Sequence, residues 1–214
     1  MTWTILIATL AERRDLLRRL LDTLLPQTEP YDGRVQVMAW WNNGTPSLYE
    51  IRQAMLQSVS TDYVCWVDDD DLVPGYYVDE IMQALAQGPD YVGFQVECFS
   101  NDRFLATAYH SLRHGGWRGA PPVLFRDLSH VNPIRTTLAK VGDFTRAAAG
   151  EPEDRVWVNQ VRGLPRTEVI IDKIMYHYLA TDQSAAVTSA WQPPPDPLPR
   201  LDVDHPNFVW HPRG

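Results

Sequence analysis

Four consecutive aspartates, Asp68 to Asp71, follow directly on the apolar run YVCWV. Like charges a few Å apart raise one another's pKa and work against folding, so such a run calls for a compensating partner. A hard divalent cation such as Mg²⁺ or Mn²⁺ is one. In an extended chain Asp68 and Asp70 share a side, with Cα atoms about 6.6 Å apart. If the chain bends there, carboxylate oxygens can approach a cation to roughly 2.0–2.6 Å, leaving positions open for substrate phosphates. An EF-hand does not fit, because Val73 stands where the sixth loop position needs glycine. The alternative is structural: acids ahead of a helix that begins near Pro74 favour its macrodipole. One or two aspartates suit that reading better than four. A second acidic pair, Glu153-Asp154, follows Pro152. By itself it reads as the ordinary acidic first turn of a helix.

These residues need a scaffold, and apolar runs of strand length alternate with amphipathic helical segments through the first half, as in βαβ units around a largely parallel sheet. Thr4 to Ala8 is the first expected strand. Leu16, Leu17, Leu20, Leu21 and Leu24 then recur at helical spacing until Pro26, which is expected to stop the helix. Arg34 to Trp40 reads as a strand, Asn42-Asn43-Gly44 as its exit turn, and Pro46 to Val59 as a helix. Tyr63 to Val67 is a strand that delivers the aspartates to its carboxyl end, where open α/β sheets bind ligands. A helix from Pro74 to about Ala86 and a strand from Tyr91 to Cys98 follow. Gly115, Gly116, Gly119, Pro121 and Pro122 mark a loop. Asn132-Pro133 is expected to open a short helix closed by Gly142, and Glu151-Pro152 another, running to about Arg162. Val169 to Ile171 and Ile174 to Tyr178 read as strands. From Gln192 the PPPDPLP composition predicts an extended strap or flexible end.

The 214 residues are 44% apolar, enough for one domain with a real core. With 19 Lys+Arg against 27 Asp+Glu, the net charge is −8, which disfavours a dedicated duplex-binding protein while allowing a local basic cleft. The start, MTWTILIATLAERR, lacks the basic-first pattern of a secretory signal, and no run approaches the ~20 apolar residues of a membrane span. A cytoplasmic location is expected. Cys65 and Cys98 are too few for a disulfide framework or a four-cysteine zinc site and read as buried free thiols.

The order of segments TILIATLAERRDLLRRLLDTLLPQT, IRQAMLQSVSTDYVCWVDDDDLVPGYY, LAKVGDF and GEPEDRVW resembles the family-two glycosyltransferases of the GT-A fold. The similarity covers roughly residues 2 to 180. It implies an α/β, Rossmann-like, mostly parallel sheet flanked by helices. On this reading residues 1–100 bind a nucleotide-sugar donor, residues 101–180 supply the acceptor and catalytic half, and residues 181–214 form a proline-rich extension. The D-x-D motif maps onto Asp68-Asp69-Asp70, with Asp70 as the main Mn²⁺ or Mg²⁺ ligand and Asp68 nearer the sugar or ribose. A metal on the diphosphate would stabilise the leaving group's charge.

The same resemblance assigns Thr9, Glu12 and Arg52 to the nucleotide side. The family often carries an aspartate that accepts from the pyrimidine N–H, whereas here the segment is Trp41-Asn42-Asn43-Gly44. An asparagine carbonyl can accept that bond. Ala8 and Leu10 likewise stand where proline and an aromatic are common. The donor implied is a UDP-sugar. The E-D pair maps onto Glu153 and Asp154, with Asp154 as general base and inversion of configuration as the outcome. His177 falls where many GT-A enzymes place a third metal ligand; a hydrogen-bonded structural histidine is its alternative. Trp117, His130 and Asn132 are candidates for the acceptor, whether glycan, small molecule or modified nucleic acid, with Arg103, Arg113, His114 and Arg118 nearby. Two other functions fit parts of the pattern: a phosphatase of the haloacid dehalogenase type, using D-x-D as nucleophile and acid, and a non-catalytic nucleotide- or sugar-binding module.

Overall fold

The computed structural model describes residues 1–42, 47–148, 151–180 and 205–211. Asn43 and the proline-rich run lie outside them. Strand β1, Trp3–Leu10, pairs in parallel with β2, Val35–Asn42, and with β3, Tyr63–Trp66. Its residues alternate between two cores. Ile5 and Ile7 pack with α1, Arg14–Thr28, and α3, Tyr77–Leu85, whereas Leu6 packs with α2, Leu48–Ser58, on the opposite face. Both faces are covered, so the strands read as continuous apolar runs.

Beyond β3 the sheet continues through β8, Ile134–Arg135, antiparallel to β3, to β4, Tyr91–Ser100. β4 carries β5, Arg103–His110, on one edge and the long β9, Glu168–Ala180, in parallel on the other. β7, Val123–Arg126, and β6, Arg118–Ala120, extend the far side. At the opposite edge β10, Phe208–His211, pairs in parallel with β2. Asn207 fastens this return: its side chain accepts from Gly33 N at 3.1 Å and donates to Thr28 O at 3.0 Å. The result is a mixed α/β domain with a mostly parallel central sheet flanked by helices.

Several expectations need correction. Pro26 does not stop α1, which runs on to Thr28. One lost backbone bond near a helix end is offset by burial of Leu24, Leu25 and Thr28. Asn132-Pro133 does not open a helix, because Ile134 and Arg135 enter the sheet as β8 and helix α4 begins only at Thr136, ending at Ala139. The stretch expected as loop contains the short strands β7 and β6, of which β6 is the sheet edge, where glycine is tolerated. Gly119, at φ +95°, has Val123 O only 2.6 Å from where a Cβ would sit, which is how this tight hairpin closes. The two late strands are one, with register shifts opposite Phe94 to Val96. The helix expected from Pro74 starts at Tyr77.

Candidate functional site

Past Trp66 the chain does not stay extended. It turns, with Asp71 N donating to Asp68 O at 3.2 Å, and the four carboxylates diverge. Asp68 accepts from Arg52 Nη2 at 2.7 Å and lies 3.4 Å from His130 Nε2. Asp69 accepts from Thr9 Oγ1 at 2.6 Å and from Arg13 Nη1 at 2.8 Å. Asp70 stands 3.2 Å from Arg13, and its carbonyl accepts from Arg19. Asp71 accepts from the Tyr176 hydroxyl and from Leu179 N, both at 2.7 Å.

The chain therefore relieves its own charge cluster in two ways. Burial works against the charge on Asp68, but the Arg52 guanidinium and His130 overcome it and hold this carboxyl below the usual range. At Asp69 burial outweighs Arg13 and Thr9 and pushes the group up to about 6. Burial and the charge on Asp68 together raise Asp71 well above an ordinary carboxylate. Desolvation and neighbouring charge thus move Asp68 in one direction and Asp69 and Asp71 in the other.

The second acidic pair reaches the same place from the other half of the chain. Helix α5, Glu153–Val161, starts after Pro152, and its first turn carries both acids. Pro152 makes no side-chain cap, so the helix is located instead by its buried face. There Trp157 stacks on Phe144, centroids 5.5 Å apart and planes at 2°, and meets Trp66 edge-on. Trp66 is the strand residue two before Asp68, so one aromatic cluster fixes α5 relative to the end of β3. Glu153 Oε1 lies 3.4 Å from Arg52 Nε, and Asp154 Oδ2 lies 3.1 Å from Arg126 Nη2.

Between the two acidic segments sits His130, 7% exposed, with Nε2 toward Asp68 and Nδ1 3.5 Å from Asp154 Oδ2. Burial disfavours its charged form, yet the two carboxylates raise its pKa overall. Asp154 is affected in return. Burial opposes its ionisation, but His130 and then Arg126 hold it well below the carboxylate range.

Arg52, Asp68, His130, Glu153, Asp154 and Trp117 all line one cavity of about 520 Å³. Thr9 and Asp69 are outside its lining and bonded to each other, while Glu12 is in the single 3₁₀ turn after β1. Asn42 closes β2. Asn132 must be removed from the acceptor set: it is fully buried, its amide donating to Val92 O and its carbonyl held by His110 Nδ1 at 2.7 Å. His177 is not in the cavity lining; its Nδ1 stands 3.2 Å from Glu97. Of the basic residues expected near the acceptor, Arg113 pairs with Glu168 and Arg118 lies over Phe125, and neither lines the cavity. Arg126 and Arg13 carried no local sequence signal. Their roles come from carboxylates 28 and 56 residues away.

Among the described residues no group of three His, Cys, Asp or Glu side chains is assembled to hold a cation. Asp68 and Asp70 keep 28% and 17% of their side chains exposed, which fits two ligands of a cation whose other positions are filled by substrate oxygens. No helix among the described residues is long and apolar enough to cross a membrane.

No protein-family model matches the chain, and comparison with curated proteins found no match. Solved structures do match. The crystal structure of S. aureus TarS 1–349 aligns over 84% of this chain and 60% of its own length, with a TM-score of 0.59 at 15% identity. Its complex with UDP gives 0.61 at 15% identity, again over 84% of this chain and 61% of its own. The complex with UDP-GlcNAc gives 0.58 at 13%, over 84% and 58%. The chain thus spans about 60% of the length of that TarS fragment and has its fold, a helix-flanked and mostly parallel sheet.

Proposed function

We propose that this protein transfers a sugar from a uridine diphosphate sugar to an acceptor hydroxyl, with inversion at the anomeric carbon. One observation carries the reading: a single cavity holds Asp68 and the Glu153-Asp154 pair, joined by Arg52 on one side and His130 on the other. The fold shared with the glycosyltransferase TarS, whose complexes contain UDP and UDP-GlcNAc, supports the class of donor.

Asp154 is the base. It takes the proton from the acceptor hydroxyl as that oxygen bonds to the anomeric carbon, and the bond from that carbon to the diphosphate oxygen breaks with its electron pair leaving on UDP. Attack opposite the leaving group in one displacement inverts the centre. Arg126 and His130 keep Asp154 ionised, the form a base requires, at some cost in basicity. Arg52 Nη1 is buried with no hydrogen-bond partner among the described residues, a donor available to an oxygen of the bound nucleotide sugar. Thr9, Glu12, Asp69, Asn42 and Asn43 are proposed for the nucleotide end. Asp70 and Asp68 would hold the Mn²⁺ or Mg²⁺ ion. That ion, when bound, offsets charge developing on the diphosphate.

Asp154→Asn tests this reading. Transfer or hydrolysis of UDP-sugars in the presence of Mn²⁺ should fall by ~10² to 10⁴-fold, with UDP still raising the thermal stability. A variant that turns over at the wild-type rate would show that the base lies elsewhere.

A further inference from the structure

A second concavity of about 550 Å³ adjoins the first. Trp117, Arg126 and Asp154 line both, so the Asp154 carboxylate stands at their junction. The new groove is polar and differs from the first in charge. Arg126, Arg155 and Arg162 face it, with Asp127 and Asp154 as the acids. Both acids are already engaged, Asp127 by Arg162 Nε at 2.6 Å and Asp154 by Arg126 Nη2 at 3.1 Å. The Arg155 side chain is exposed and has no hydrogen-bond or ion-pair partner among the described residues. In a chain of net charge −8 this is a local excess of positive charge one residue from Asp154.

Trp117 gives the groove its other property. Its indole is 61% exposed, and the Arg126 guanidinium sits 5.3 Å from the ring centre. Gly116 beside it adopts φ +117°, a conformation side chains rarely take, and Arg162 Nη2 lies 4.0 Å from where its Cβ would be. An exposed indole face accepts the apolar face of a sugar ring. A guanidinium suits planar oxyanions.

We propose that this groove seats the acceptor and that the acceptor is an acidic sugar, its ring on Trp117 and its phosphate or carboxylate at Arg155 and Arg162. The word acceptor rests on the glycosyl-transfer reading above; the binding of an acidic sugar does not. Asp154 then reaches the acceptor hydroxyl from the groove side and the donor from the cavity side.

Calorimetric titration of the full chain with glucose, glucose 6-phosphate, glucuronate, inorganic phosphate and UDP tests the proposal. At least one acidic sugar should bind about tenfold or more tightly than either glucose or inorganic phosphate, as expected for charge-assisted bonds added to stacking. Which of the two binds identifies the anion as phosphate or carboxylate. Arg155→Ala should remove that advantage and leave UDP binding unchanged, and Trp117→Ala should weaken the acidic sugar at least several-fold. Acidic sugars that bind no better than glucose would overturn the proposal, as would inorganic phosphate matching glucose 6-phosphate or an unaffected Arg155→Ala variant. If the wild type binds an acidic sugar but not UDP, the groove stands and the donor assignment fails.

Discussion

Replacing Arg52 by methionine removes the cation shared by the two acidic segments while keeping an unbranched side chain of similar length. Arg52 is 6% exposed, donates to Asp68 at 2.7 Å and lies 3.4 Å from Glu153. Breaking a fully buried ion pair from one side costs about 3–5 kcal/mol. Asp68 retains 28% and Glu153 16% of side-chain exposure, and His130 still faces Asp68, so a discounted loss of about 2–3 kcal/mol is expected. For a chain of this size that lowers Tm by roughly 4–12 °C. Urea unfolding at pH 7 gives the difference directly, through a lower midpoint at unchanged slope. The sign with pH is also fixed. Arg52 and His130 depress the folded pKa of Asp68 against burial, so this stability is present above the unfolded carboxylate value of about 4 and is lost as pH falls toward the lower folded one. The gap between wild type and variant should therefore narrow in acid. Adding Asp68→Asn to Arg52→Met should recover part of the loss, because the stranded charge disappears. A variant within about 0.5 kcal/mol of wild type at pH 7, or a gap constant from pH 7 to pH 3, would refute the idea that Arg52 neutralises this site.

Three further perturbations probe the supports of the site. Tyr176→Phe removes the hydroxyl bonded to buried Asp71 and to Asp68 N, and should cost about 1–3 kcal/mol in urea melts; no measurable change would contradict the role given to that hydroxyl. Gly142→Ala places a Cβ 2.3 Å from Trp157 Cδ1, so the ring must move. A loss of about 1–3 kcal/mol is expected, together with lower kcat, since Trp157 and Asp154 share α5; full activity in this variant would argue against that coupling. His110 is buried neutral, with burial and then Arg126 depressing its pKa to about 3. Its contribution is present above pH 6.5 and is lost as pH falls toward 3, with a slope of up to about 1.4 kcal/mol per pH unit. Unfolding midpoints between pH 4 and pH 7 should fall less steeply in His110→Asn, and parallel curves would dismiss the assignment.

How far this site could be read in advance depends on where its partners lie along the chain. The aspartate run was legible because an apolar strand feeds straight into it, and α5 because Pro152 precedes an amphipathic turn. β1 to β4 followed from local alternation for the same reason. By contrast, Arg52, His130 and Arg126 reach their carboxylates across 16, 62 and 28 residues, and no local pattern encodes such distances. Asn132 misled because asparagine before proline has the chemistry of a helix start, whereas here the amide bonds His110 and Val92 in the core and the chain enters the sheet. β5 was missed because its start, Arg103 to Leu105, leaves the apolar Phe104 and Leu105 exposed, so no alternation marks a buried face until Ala106.

The pairing of β10 with β2 has a consequence for biosynthesis. β2 is translated some 170 residues before Phe208–His211, so until those residues emerge its outer backbone edge offers unsatisfied amides and carbonyls to any neighbouring nascent chain. The half-made sheet is then a template for intermolecular strand addition, and ribosome-associated chaperones would be most needed in that interval.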